Sequence, residues 1–202
     1  MIKFIKNKLN EIVKSNLKGY ILLMLIFISG FTLSVFIEKN ITEEEIRLYF
    51  TDFFNDVNSY GTDGIKTFNA SITGYIKVAV FMLLSSLTVI GAPVIVIYTL
   101  IQGISLGTVI ICLFKTFGIK AFLIVLGSVI PHSVVLVPCY LIYSFFCLKN
   151  SFRFLQKKND IKSAVIVPFI YSVSFVSVIS IASLIQGYIE PLFIKLIAKQ
   201  FV

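Results

Sequence analysis

Residues 78–114 read VAVFMLLSSLTVIGAPVIVIYTLIQGISLGTVIICLF, a stretch of 37 residues without a charged side chain. As one α-helix this stretch would be about 55 Å long, nearly twice the roughly 30 Å hydrocarbon core of a bilayer. The tripeptide GAP at 91–93 lies near its middle, where glycine frees the backbone and proline lacks an amide donor. We therefore expect a helical hairpin, with spans at about 75–90 and 94–114.

The rest of the 202-residue chain repeats this apolar pattern. Further uncharged windows cover residues 19–37, 121–148 and 164–189. Each window is long enough for a helix to cross a membrane, which takes about 20 apolar residues. Hydrophobic residues make up 57% of the chain and charged residues 14%, whereas soluble domains carry about 25% charged residues. The sequence therefore predicts an all-α, polytopic integral membrane protein with about five transmembrane helices.

Four segments divide the predicted protein. Residues 1–17 form a basic amphipathic cytoplasmic N-terminus, and residues 18–37 form the first span. Residues 38–73 form an acidic extracytoplasmic segment, and residues 74–202 form a four-span membrane domain with a short C-terminal tail. The N-terminal residues either lie on the membrane surface or extend the first helix, and the sequence leaves both arrangements open.

The distribution of charge predicts the orientation of the chain. Residues 1–18 and residues 149–162 each have five basic residues against one acidic residue, and residues 38–73 have three against seven. Because basic residues favour the cytoplasmic side, five spans place both basic blocks inside and the acidic segment outside. The basic blocks flank apolar spans, so the net charge of +8 indicates contact with anionic lipid and not with nucleic acid.

A short amphipathic helix is predicted within the acidic segment. Thr42 and Glu45 form a capping box, because each side chain can accept a hydrogen bond from the backbone amide of the other residue. The helix that follows carries four aromatic residues on one side, at Tyr49, Phe50, Phe53 and Phe54. These rings either pack against the protein's own spans or the lipid interface, or they form a partner-binding surface, since aromatic residues are enriched in interface cores.

Gly103 and Gly107 form a GxxxG motif in the third predicted span. Two glycines on one helical face allow another helix to approach closely. We expect this face to serve packing within the chain in preference to dimerisation, although homo-oligomerisation stays open.

Pro131 and Pro138 predict a helix break in the fourth span, because proline removes a helical hydrogen bond. His132, the single histidine of the chain, lies at this break. It is either a neutral imidazole that is bonded to a freed carbonyl or a functional group, since ionisable residues are unfavourable inside a membrane.

No catalytic centre, cofactor site or metal site is predicted, so we expect the protein not to be an enzyme. Ser105 and His132 supply only the minimum for an intramembrane serine protease, and no oxyanion donors accompany them. The sequence has no HExxH motif and no P-loop, and its three cysteines form no CxxC pair. A transporter usually has acidic residues within its spans, whereas Glu190 is predicted to lie at a span edge.

The chain resembles the stage II sporulation protein M family of small polytopic membrane proteins. The resemblance is most specific in LIQGISLG at 100–107, FGIK at 117–120, GSVIPH at 127–132 and VP at 137–138. The Glu190-Pro191 pair near the end of the chain is also similar. Relatives often carry glycine after the Pro-His pair and an acid a few residues later, where this chain has Ser133 and Leu136. This departure predicts that the spans contain no acidic residue, which weakens a transport function.

The resemblance implies a non-catalytic membrane scaffold of the sporulation engulfment complex. Such a scaffold anchors and localises peptidoglycan hydrolases, the sporulation proteins lettered P and D, at the division septum. In that case the aromatic residues at 49–54 are candidates for the contacts with these partners. Relatives also occur in export and immunity loci for membrane-active peptides, so the alternative is a permease-like or accessory subunit of an ATPase-coupled exporter. Either function places the chain in the cell membrane, and the first places it at the sporulation septum.

Overall fold

A computed structural model of the protein describes residues 17–38, 44, 64–155, 161–191 and 193. Six α-helices lie within these residues: α1 (Leu17–Glu38), α2 (Gly64–Ser86), α3 (Gly91–Phe117), α4 (Ala121–Ile124), α5 (Ile130–Leu155) and α6 (Ile161–Leu184). A 3-10 turn at Gly118–Lys120 joins α3 to α4. One π-helical turn, Val125–Val129, connects α4 to α5, and a second, Ile185–Ile189, follows α6.

Within the described part of the chain, four helical stretches are long and apolar enough to cross a membrane. They cover Leu17–Ile37, Gly64–Ser86, Gly91–Phe152 and Val165–Ile189. The all-α prediction is confirmed for the described residues, and it fits the requirement that backbone groups in hydrocarbon be bonded within their own segment. The third stretch has 62 residues and contains α3, α4 and most of α5.

The turn between α2 and α3 lies where the sequence predicts a hairpin. α2 ends at Ser86 and α3 begins at Gly91. The C-terminal part of α5 supplies polar partners for this turn: Asn150 Nδ2 donates to the carbonyl of Ser86 at 3.0 Å, and Ser151 Oγ donates to that of Thr88 at 2.7 Å. The first bond satisfies a carbonyl at the end of α2, and the second adds to the bond that the Thr88 carbonyl accepts from the amide of Gly91.

The N-terminal boundary of α2 differs from the prediction. The helix begins at Gly64, within the predicted extracytoplasmic segment 38–73, and not near Tyr75. Hydropathy marks only the apolar part of a helix, whereas the backbone pattern continues through the polar residues before it. Of the amphipathic helix predicted after Thr42, the structure describes only Glu44, which is helical.

Buried side chains form two clusters at different levels of the bundle. The larger cluster draws on α1, α2, α3, α5 and α6, and its members are Leu23, Ala79, Met82, Ala92, Ile95, Tyr140, Tyr143, Phe145, Cys147, Leu148, Phe175 and Ile179. The smaller cluster lies beside the 3-10 turn and consists of Leu113, Ala121, Ile124 and Val125. Many large apolar side chains elsewhere on the helices are exposed, as lipid-facing surfaces require.

Candidate functional site

The GxxxG motif of α3 packs against α1. Gly103 and Gly107 are buried, and a Cβ atom added at Gly103 would collide with the carbonyl oxygen of Phe27. A Cβ atom at Gly30, on α1, would likewise collide with the carbonyl oxygen of Leu100. The backbones of α1 and α3 therefore approach closely at a glycine of each helix, and the GxxxG motif packs against α1 of the same chain.

Pro131 and Pro138, which are predicted to break a helix, both lie within α5. The structure replaces the predicted break with the π turn Val125–Val129, after which α5 runs continuously through Pro138. Pro131 lies in the first turn of α5, where an amide has no α-helical partner and proline is tolerated. Single π-helical turns of this kind are frequent at functional sites.

His132 forms a largely buried pair with Glu190. Its Nδ1 atom lies 2.5 Å from Glu190 Oε1 and 3.1 Å from the carbonyl oxygen of Ser128. The side chains of His132 and Glu190 are only 16% and 7% exposed. Nδ1 is the ring nitrogen in both contacts, and a proton on Nδ1 satisfies both oxygens, since the Ser128 carbonyl can only accept a hydrogen bond. Nε2 takes part in neither contact.

Glu190 is the functional candidate that the sequence does not identify. It lies one residue beyond the apolar stretch Val165–Ile189, at the span edge that the sequence indicates, and its carboxylate is buried against His132 of α5. Each partner follows a π turn, with Val125–Val129 before His132 and Ile185–Ile189 before Glu190. A signal was available in the sequence: a lone histidine in one span and an acid that closes another uncharged window, since a buried charge requires a partner.

The segment that carries Glu190 is fixed by α2. Gly64 and Gly187 approach each other so closely that a Cβ atom on either glycine would lie 2.8 Å from the carbonyl oxygen of the other. Tyr75 Oη also donates to Gln186 Oε1 at 3.1 Å. The start of α2 thus packs closely against the second π turn, and this contact holds Glu190 beside α5.

A cleft of about 530 Å³ lies between the α1–α3 contact and the α2–π turn contact. Its volume falls in the range of small-molecule sites. Polar residues contribute hydroxyl, amide and imidazole groups to its lining: Ser71, Tyr75, Gln102, Ser105, His132, Ser133, Tyr140 and Gln186. Among the lining residues that the structure describes, none is a lysine, arginine, aspartate or glutamate. The cleft therefore combines hydrogen-bonding groups with apolar walls.

Ser105 and His132, the two residues that an intramembrane serine protease would need as a dyad, both line the cleft. They bond to other groups in the described part of the chain: Ser105 Oγ donates to the carbonyl of Ile101 at 3.0 Å, and Nδ1 of His132 contacts Glu190. Among the described residues, no group of three or more histidine, cysteine, aspartate or glutamate side chains could hold a metal ion.

The predicted partner-binding residues lie outside the described part of the chain. These are the aromatic residues Tyr49, Phe50, Phe53 and Phe54. Residues 1–16 of the N-terminal segment lie outside it as well. Partner binding by the aromatic residues therefore stays a prediction.

Comparison with known proteins bears on the origin of this arrangement. No curated protein and no solved structure matches the chain. The family described as Stage II sporulation protein M matches residues 21–191, a range that includes both members of the His132–Glu190 pair and both glycine contacts. This range covers most of the 202 residues. The chain therefore belongs to the stage II sporulation protein M family.

Proposed function

We propose that this protein is a membrane scaffold of the sporulation engulfment complex, without catalytic activity of its own. In this role it anchors peptidoglycan hydrolases, the sporulation proteins lettered P and D, and localises them at the division septum. The observation that carries the proposal is the family match over residues 21–191, together with helices that are apolar enough to span a membrane.

Five membrane crossings are part of this proposal. Thr99 Oγ1 of α3 lies 3.4 Å from Tyr140 Oη of α5, and Leu113 of α3 packs in one cluster with Ile124 of α4. Each contact joins residues at similar distances before and after the turn Gly118–Lys120, as in an antiparallel helical hairpin. These contacts support two crossings by the 62-residue stretch. With the N-terminus in the cytoplasm, segment 38–73 then faces the cell wall.

A mild-detergent pull-down of the tagged full-length protein from its sporulating host tests the scaffold function. We expect wall hydrolases among the bound proteins that mass spectrometry identifies. Alanine substitutions at Tyr49, Phe50, Phe53 and Phe54 should abolish this recovery and leave membrane insertion intact. A matched control is Phe122→Ala, which removes an exposed aromatic ring from α4.

Two negative outcomes have different meanings. Absence of hydrolases from the wild-type pull-down would reject the scaffold function itself. Recovery of hydrolases by the aromatic variants would retain the scaffold and reject only the aromatic contact surface.

One observation favours the alternative function, a permease-like or accessory subunit of an ATPase-coupled exporter. The His132–Glu190 pair places ionisable groups inside the helical bundle, where such groups commonly mark transport pathways. In that case the same pull-down should recover an ATPase without hydrolases.

A further inference from the structure

Hydrogen-bonding groups in the cleft are left over after the protein's own contacts. Ser133 is not among them, because its Oγ atom is buried and does not face the cleft although the residue lines it. His132 uses Nδ1 for both of its contacts, so its Nε2 atom stays available. Gln186 accepts from Tyr75 through Oε1, which leaves its amide nitrogen available as a donor. Unbonded polar groups are unfavourable inside a membrane, so a polar occupant would stabilise this arrangement.

The charge of the lining restricts what this occupant can be. Because no lysine or arginine is among the described lining residues, a phosphate group would find no cation there with which to pair. An ammonium group would find no carboxylate among the same residues, and the Oε1 atom of Glu190 is in contact with His132 Nδ1. An uncharged hydroxyl group suits the site, since it can both donate and accept and so can bond to the imidazole Nε2 and to the amide nitrogen.

The apolar walls and the mouth of the cleft indicate that this occupant comes from the bilayer. Phe27, Leu106 and Phe175 line the cleft beside its polar groups. The rim residues Gly74 and Val109 are exposed and lie within helices that are apolar enough to span the membrane. A Cβ atom added at Gly74 would meet no atom within 4 Å, so the mouth is open at this point.

We propose that the cleft binds a membrane lipid with an uncharged, hydroxyl-bearing head, of the mono- or diacylglycerol class. The head hydroxyl forms hydrogen bonds with the amide nitrogen of Gln186 and with Nε2 of His132, and an acyl chain lies along the apolar wall. The binding is non-covalent. It depends on the cleft alone and is independent of whether the protein recruits hydrolases.

Photo-crosslinking of the full-length protein in phosphatidylcholine nanodiscs that contain a diazirine-labelled diacylglycerol tests this proposal. We expect labelled peptides from the parts of α3 and α5 that line the cleft, at 102–109 and 129–137. Gly74→Leu places a side chain in the open mouth and should lower labelling roughly tenfold. Thr73→Leu is the matched control, because Thr73 is exposed beside Gly74 but does not line the cleft, and it should leave labelling unchanged.

Gln186→Leu and Tyr75→Phe separate lipid binding from the internal hydrogen bond that these two residues share. Both substitutions remove the bond from Tyr75 Oη to Gln186 Oε1, but only Gln186→Leu also removes the amide donor. Gln186→Leu should lower labelling roughly fivefold, whereas Tyr75→Phe should leave it largely unchanged. This pair keeps the proposal testable even if Gly74→Leu fails to fold.

Competition identifies the head group. Unlabelled diacylglycerol should displace the probe, whereas phosphatidylglycerol should not. Equal displacement by the two lipids would overturn the choice of an uncharged head. Labelling that is retained in both Gly74→Leu and Gln186→Leu would overturn the cleft as the binding site.

Discussion

His132 and Glu190 lie 58 positions apart in the sequence and are brought to 2.5 Å by the packing of α5 against the end of α6. A charge in a low-dielectric interior is tolerated when it has a partner, and removal of that partner leaves an uncompensated polar group. The pair should therefore stabilise the position of the second π turn. We expect the contributions of the two residues to the free energy of unfolding to be coupled.

A double-mutant cycle on this pair tests that coupling. Glu190→Leu leaves Nδ1 of His132 with the Ser128 carbonyl alone and should lower the free energy of unfolding by about 3 kcal/mol. Glu190→Gln keeps an oxygen acceptor and should cost about 1 kcal/mol. We expect the double variant Glu190→Leu/His132→Leu to lose about 1–3 kcal/mol less than the sum of the losses of the two single variants. Unfolding in mixed micelles gives these values, and simple addition of the single effects would contradict the coupling.

At the scale of helices, glycine sets how closely two elements approach. The α1–α3 contact brings backbone atoms together at Gly103, whereas Gly74, on α2, faces open space. The same residue type therefore has opposite consequences in two helices. A side chain at Gly103 would force α1 and α3 apart, whereas a side chain at Gly74 would only raise the helix propensity of α2.

Gly103→Ala and Gly74→Ala form a matched pair that tests this difference. We expect Gly103→Ala to destabilise the protein by about 2 kcal/mol, because its methyl group would displace the carbonyl of Phe27. Gly74→Ala should be neutral or stabilise by up to about 1 kcal/mol, because alanine is the better helix former. Unfolding in mixed micelles measures both effects. Similar values for the two variants would argue against close packing at Gly103.

The sequence predicts the helices and the α2–α3 turn well, because both depend on local features. Uncharged windows mark the apolar helices, and the GAP tripeptide marks a point where the backbone can turn. The windows show a lone histidine in one uncharged stretch and an acid at the end of another. The burial of Glu190 depends in addition on the Gly64–Gly187 contact and on a π turn, which are products of tertiary packing and leave no period in the sequence. The start of α2 is predicted too late for another reason, because hydropathy marks only the apolar part of a helix that begins at Gly64.

At the scale of the whole molecule, α5 is the element to which the other long helices attach. Tyr143 Oη of α5 donates to the carbonyl of Ala79 on α2 at 2.7 Å, and it lies 2.7 Å from Ser172 Oγ on α6. On the other side, Phe145 of α5 packs against Tyr20 of α1, with ring centroids 4.2 Å apart. Two helix pairs, α1–α3 and α2–α6, are thus held by one central helix. The cleft lies between these pairs.

The proposed five crossings place the two interhelical turns on opposite sides of the membrane, and cysteine labelling tests this arrangement. Ile119, in the turn between α3 and α4, is 90% exposed, and Ile90, in the turn between α2 and α3, is 73% exposed. Ile119→Cys and Ile90→Cys would be introduced separately, after the three native cysteines are replaced by alanine. A membrane-impermeant maleimide should modify the cysteine at position 119 in intact cells. It should reach the cysteine at position 90 only after the cells are made permeable.

The logic of this test follows from helix length and charge. A single crossing by a 62-residue helix would require about 93 Å, three times the hydrocarbon thickness, so the stretch must turn back at Gly118–Lys120. The basic blocks at 1–18 and 149–162 then favour the cytoplasm for the end of the bundle that holds the α2–α3 turn. Labelling of both introduced cysteines in intact cells would contradict five crossings. Labelling at position 90 alone would keep the hairpin but reverse the orientation, and segment 38–73 would then face away from the wall hydrolases that it is proposed to bind.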